Sequence, residues 1–120
     1  MIEIPARVVY YDNYCVAYLD REFSRFYFSL CPKYLRAKTQ RYTTHITIVR
    51  LGIETANNNW LYRDQEIISI WYSPIIYSDN TYLFLDAWSD DISEIRIKLG
   101  LPQYRFNNCY HITIGNVKDV

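Results

Sequence analysis

His45-Ile-Thr-Ile48 and His111-Ile-Thr-Ile114 are one tetrapeptide written twice in a chain of 120 residues. The first copy sits inside Thr43-Thr-His-Ile-Thr-Ile-Val-Arg-Leu51 and the second inside Cys109-Tyr-His-Ile-Thr-Ile-Gly115. Both stretches are β-branched and alternate polar with apolar residues at their centres, the pattern of a half-buried strand. Upstream of the first copy, Ala6–Asp12 and Tyr14–Leu19 read as two strands of a hairpin turning at Asn13. Asp20 then offers an N-cap to a helix whose apolar face is Phe23, Phe26, Tyr27, Leu30 and Tyr34, with a kink or an end required at Pro32. Upstream of the second copy, Glu66–Ile76 and Thr81–Trp88 read as another hairpin, turning at Ser78-Asp-Asn80. Ser89 caps a second helix over Asp90–Leu99, acidic at its start, apolar at Ile92, Ile95 and Leu99, and stopped by Gly100 and Pro102. Strand, strand, helix, strand therefore occurs twice, and each half closes on the same tetrapeptide.

The repeat predicts an α+β protein: a single domain over 1–120, with lobes of roughly 1–52 and 53–120, each an antiparallel sheet with a helix, and a cleft between them. A chain of this length builds one ordinary core, and half of it is apolar, so a disordered chain is excluded. Thirteen Lys and Arg balance thirteen Asp and Glu, which argues against a protein that coats duplex DNA by bulk charge. No signal peptide and no apolar run of about 20 residues is present, so a cytoplasmic setting without membrane contact is expected. Three cysteines, odd in number and without a close pair, fit reduced thiols. Cys109 and His111 form a Cys-x-His pair, but a zinc site needs three or four ligands and the other histidine is far away in sequence. Neither metal nor cofactor is expected.

Because strand side chains alternate, His45 and Thr47 share one face over Ile46 and Ile48, and His111 and Thr113 share one face over Ile112 and Ile114. The isoleucines suit the side packed on helices, leaving two imidazoles and two hydroxyls for the open side. These are the only histidines in the chain. Imidazole titrates near neutrality, so one ring can take a proton from an attacking oxygen while the other gives one to the oxygen that leaves. Two threonine hydroxyls can donate to the non-bridging oxygens on which charge builds at a five-coordinate phosphorus.

The paired motifs His45-Ile-Thr47 and His111-Ile-Thr113, their separation and the helices before them resemble the 2H phosphoesterases, over nearly the whole chain. That resemblance implies a bilobal sheet and metal-independent attack on, or formation of, a 2′,3′-cyclic phosphate. His45 and His111 would be the acid and base, in an order left open, and Thr47 and Thr113 the phosphate donors. The short chain and the positions of the motifs look like the compact viral branch that includes anti-CBASS enzymes, which destroy cyclic oligonucleotide signals in the host cytoplasm. That branch carries a nucleotide-holding tail after the second motif, of which almost nothing remains here. The resemblance equally admits small RNA-repair-like members that open 2′,3′-cyclic ends, so the expected partner is a nucleotide or short RNA.

From Phe23 to Ile53 the chain carries Arg25, Lys33, Arg36, Lys38, Arg41 and Arg50 with no acidic residue. Zero net charge hides this block, which would draw phosphate toward His45. Arg41 and Arg50, nearest the motif, are candidate ligand contacts. Thirteen tyrosines supply many faces on which a base could stack, and Tyr10, Tyr11, Trp60 and Tyr62 are the candidates near the expected rim. Tyr110 alternates with His111 and should be core. Two other classes compete with the enzyme: a noncatalytic nucleotide or RNA-binding module, which predicts binding without turnover, and a protein whose tyrosines form an interface.

Overall fold

Strand β1 (Ile2–Tyr10) is the axis on which the fold is laid out, because both halves of the chain pair with it. The computed structural model describes residues 1–33, 37–39, 43–105 and 108–117. On one side β1 pairs antiparallel with β2 (Tyr14–Tyr18), the tight hairpin the sequence predicts. On the other it pairs antiparallel with β5 (Ile67–Tyr72), from the second half. Helix α1 (Arg21–Ser29) follows β2, then the two-residue strand β3 (Lys38–Thr39) and β4 (His45–Arg50). After β5 come β6 (Tyr77–Ser78), β7 (Tyr82–Trp88), helix α2 (Asp90–Lys98) and β8 (Tyr110–Asn116).

The sheet runs β3-β8-β7-β5-β1-β2-β4. Read outward from the β1–β5 pair, each half contributes its first strand, then its second, then its motif strand: β1, β2, β4 on one side and β5, β7, β8 on the other. The antiparallel sheet curls into a half-barrel, so that β4, at one end, comes close to β8, which lies next to the short end strand β3, without sharing a hydrogen-bond ladder with it. Each motif strand also carries the same irregularity. The β2–β4 register slips at Ile48 and the β7–β8 register slips at Ile114, so the last residue of each tetrapeptide is the extra residue of a bulge. Two consecutive residues are consequently buried at each bulge, Ile48 with Val49 and Ile114 with Gly115.

The helices cross over. α1 packs against β8 and β3, and α2 packs against β5 and β4, so each covers the motif strand of the opposite half. Asp20 caps α1 by accepting from Glu22 N at 2.9 Å, and Ser89 caps α2 by accepting from Ile92 N at 3.1 Å. Ile92, Ile95 and Leu99 are fully buried, as their spacing predicts, and Gly100 takes the left-handed φ of +83° that ends α2. Arg63 fixes the loop after β4 to α2 through Asp91 at 2.9 Å and Glu94 at 2.7 Å. Gly115 is required by close approach: a Cβ there would lie 2.7 Å from Lys38 O and 2.9 Å from the Phe28 ring.

Three expectations are corrected. α1 ends at Ser29, as the limit set by Pro32 allows, but its buried face is not the expected one: Tyr27 packs against the core with Phe23 and Phe28, while Phe26 and Leu30 face solvent; Tyr34 lies outside the described residues. The strand expected over Glu66–Ile76 is split after Tyr72, with Pro74, which has no N–H for a ladder, inside the break. β1 starts at Ile2 rather than Ala6. Pro5 is tolerated there because β2 pairs only with Arg7–Tyr10, leaving Pro5 a single neighbouring strand. Among the described residues no helix is long and apolar enough to cross a membrane.

Candidate functional site

The gap between β4 and β8 is a cleft of about 320 Å³. His45 and Thr47 line it from β4, and His111 and Thr113 from β8. The alternation that orients them is visible in burial: Ile46, Ile48, Ile112 and Ile114 are at most 1% exposed, while the histidines and threonines between them are partly exposed. Arg50, Ile53, Tyr82, Arg105 and Cys109 complete most of the wall.

The two imidazoles have different surroundings. His45 Nδ1 lies 2.7 Å from the Thr43 carbonyl oxygen. A carbonyl only accepts, so Nδ1 carries the hydrogen, and in the neutral ring Nε2 holds the lone pair. Across the strand from His45 stands Tyr18, its ring edge-on at 6.2 Å and its hydroxyl 2.7 Å from that of Tyr11. Burial and that hydrogen bond push the Tyr18 phenol up to about 12, so it stays neutral. The residue across from His111 is Asp86, whose Oδ1 is 3.5 Å from Nε2. The Phe84 ring lies against His111 at 4.4 Å, and Tyr77 stacks on Phe84 at 5.9 Å. Equivalent positions of the two halves thus hold a neutral tyrosine and a carboxylate. Burial, followed by the Asp86 charge, raises the nearby Cys109 thiol above its ordinary value.

Arg96, on α2 and fully buried, braces the β4 side of the cleft from behind. Its Nη1 donates to Ile48 O, the carbonyl at the β4 bulge, at 2.6 Å. Its Nη2 donates to Glu54 at 2.6 Å and its Nε to Pro102 O at 2.7 Å. Burial pushes the Glu54 carboxyl up, but the Arg96 guanidinium outweighs it and holds the group below the ordinary carboxylate range. Arg105 reaches the same carboxylate at 3.3 Å. Burial, then the Arg50 and Arg96 cations, lower the Arg105 guanidinium against the pull of Glu54. With Glu54 engaged by Arg96, the cleft wall carries Arg50 and Arg105 beside the two motifs.

Of the residues singled out from sequence, His45, Thr47, His111, Thr113 and Arg50 meet at this cleft. Arg41 lies outside the described residues. Tyr10, Trp60 and Tyr62 are not at the cleft wall. Tyr10 is buried and donates its hydroxyl to Tyr62 O at 2.7 Å, and Trp60 packs edge-on against Tyr10 while its Nε1 donates to Tyr11 O. Tyr10 and Trp60 are used in packing the loop after β4 onto β1, and the Tyr62 ring lies under the Lys98 ammonium at 5.5 Å. Tyr11 is 40% exposed and reaches His45 only through Tyr18. Tyr110 is core, its hydroxyl bonded to Ser93 and to Gln103 O. Sequence reasoning missed Asp86 and Tyr18, which are found only once the registers are known. It also missed Arg105, an isolated cation whose one signal is its place shortly before the second motif.

No protein-family model matches the chain, and no curated protein or solved structure was found to match it.

Proposed function

We propose that this chain is a two-histidine phosphodiesterase with the bilobal architecture of the 2H phosphoesterases, cleaving ribonucleotide phosphodiester bonds without a metal. The observation that supports it best is the convergence of both His-x-Thr motifs on one cleft, from strands related by a symmetric sheet order and by matching bulges. Cyclic di- or oligonucleotides are the first substrate class and RNA 2′,3′-cyclic ends the second; both keep a 2′-oxygen next to the reacting phosphorus. Free thiols at Cys15, Cys31 and Cys109 suit a reducing compartment such as the cytoplasm.

The different surroundings of the histidines divide their labour. His45, with Nδ1–H tied to Thr43 O, presents the Nε2 lone pair of a neutral ring and is the base. It takes the proton of the attacking hydroxyl as that oxygen bonds to phosphorus. His111, with the Asp86 carboxylate as a counter-charge for an imidazolium, is the acid. It hands its proton to the oxygen whose bond to phosphorus breaks. Thr47 and Thr113 donate to the non-bridging oxygens, and Arg50 and Arg105 offset the accumulating negative charge.

The test offers 3′,3′-cyclic dinucleotides and 2′,3′-cyclic nucleotides to the protein in EDTA. Turnover is expected in EDTA, with kcat/KM falling about 10²- to 10⁴-fold in His45→Ala and in His111→Ala. Activity abolished by EDTA, or retained in the double variant, refutes the reading. Binding without turnover of either substrate favours the noncatalytic module.

A further inference from the structure

A thiol, an imidazole and a carboxylate meet at the edge of the cleft where β7 joins β8. One ligand atom each from Asp86, Cys109 and His111 lie within 4.8 Å of one another. Cys109 and His111 share a face because one residue separates them on an extended chain, and Asp86 is the cross-strand partner of His111. The His111 Nε2 to Asp86 Oδ1 distance is 3.5 Å. Two ligands at about 2.0–2.2 Å from a tetrahedral ion stand about 3.4 Å apart, so this pair already spans one edge of such a site. The Cys109 sulfur, on a half-buried side chain of the cleft wall, lies within the same 4.8 Å.

The first half lacks the same set. At the equivalent positions, two residues before His45 and across the strand from it, stand Thr43 and Tyr18. A cation of the right chemistry would therefore select His111 over His45. Sulfur with imidazole nitrogen excludes Mg²⁺ and Ca²⁺, which take oxygen ligands, and fits Zn²⁺. Three protein ligands with the fourth position open toward a cleft is the arrangement of an accessible zinc site, in contrast to the closed four-ligand cage of a structural one.

We propose that Asp86, Cys109 and His111 form a three-ligand site for Zn²⁺, and that the ion switches the cleft off by replacing the proton on His111. Cys109 binds as the thiolate and releases its proton to solvent; His111 binds through its Nε2 lone pair and then has no proton there to give. The inhibitory half of the proposal rests on the acid role assigned to His111, and the binding half stands without it.

Co²⁺, which reports ligand type and geometry by its absorption, tests the binding half on the full metal-free chain. The expected result is one equivalent bound with the intense ligand-field bands of a four-coordinate ion and a thiolate-to-cobalt charge-transfer band, displaced by Zn²⁺. Cys109→Ser removes the charge-transfer band, and Asp86→Asn, read by that same band, weakens binding by about tenfold or more, since even outer-shell changes cost 10- to 100-fold. His45→Ala leaves the spectrum as it is. An absent charge-transfer band, or one that survives Cys109→Ser, overturns the site. The second arm measures turnover of a 2′,3′-cyclic nucleotide with added Zn²⁺, expected to fall and to recover on chelation. Cobalt bands in a protein without turnover support the site while removing the phosphodiesterase reading; turnover without cobalt bands does the reverse.

Discussion

Replacing Arg96 by methionine removes a cation from a fully buried position while keeping much of the side-chain volume. The guanidinium makes four hydrogen bonds there: Nε to Pro102 O at 2.7 Å, Nη1 to Ile48 O at 2.6 Å and to Glu54 Oε1 at 3.2 Å, and Nη2 to Glu54 Oε2 at 2.6 Å. Breaking a buried ion pair by deleting one partner costs about 3–5 kcal/mol, mostly because the other charge is left behind. Arg105, 3.3 Å from the same carboxylate, still offsets part of that, which sets the expectation at the lower end, about 3 kcal/mol. With a urea slope of about 1–3 kcal/mol/M the unfolding midpoint falls by roughly 1–3 M. The companion variant Arg96→Met/Glu54→Gln carries no orphan carboxylate and recovers part of the loss. Urea unfolding followed by far-UV circular dichroism reads both. A cost under about 1 kcal/mol for Arg96→Met, or a double variant no more stable than the single one, refutes the claim that charge pairing holds this bulge.

Arg50→Met should lower kcat/KM about tenfold for a phosphodiester substrate, the worth of one charge-assisted hydrogen bond, with the loss falling mainly on kcat because Arg50 acts on charge that accumulates at the five-coordinate phosphorus; steady-state kinetics at low salt decides it. Gly115→Ala pushes a methyl into Lys38 O and the Phe28 ring and should cost about 1–3 kcal/mol, seen as a lowered melting temperature. The Asp91 carboxyl, pushed up by burial but held down by Ser69 N–H and Arg63, lies below its ordinary value, as Glu54 does. Groups with a lower pKa folded than unfolded stabilise the fold above the unfolded value and lose that contribution as pH falls through the folded one. Urea midpoints measured across pH should therefore hold near neutrality and decline on acidification below about pH 5, with a shallower decline in Asp91→Asn.

Local signals carried far in this chain. The His-Ile-Thr-Ile repeat, the Asp20 and Ser89 caps and the Gly100 stop were readable because each is written in neighbouring residues. What failed is non-local. The apolar run Phe23, Phe26, Tyr27, Leu30 has helical spacing, yet only part of it is covered, because the sheet meets α1 where Phe23 and Tyr27 pack on Tyr72 and Phe28 lies beside Gly115. Tyr10 and Trp60 looked like stacking faces until the packing of the loop on β1 consumed them. Asp86 is unremarkable in sequence and gains meaning only from its register opposite His111. Arg96 reads as a helix-surface cation, and its burial depends on a carbonyl set free by a bulge 48 residues away.

The crossing of the helices has a consequence for synthesis. The strand bearing His45 is complete early, but α2, which covers it, and Arg96, which braces its bulge, are made only later. Until then a growing chain holds its first motif on a strand without the helix that packs on it, and the second motif, translated after α2, packs on α1, which was made before the first motif. The cleft consequently cannot be assembled until both halves have been made, and a ribosome-bound fragment ending before α2 has no site with which to act.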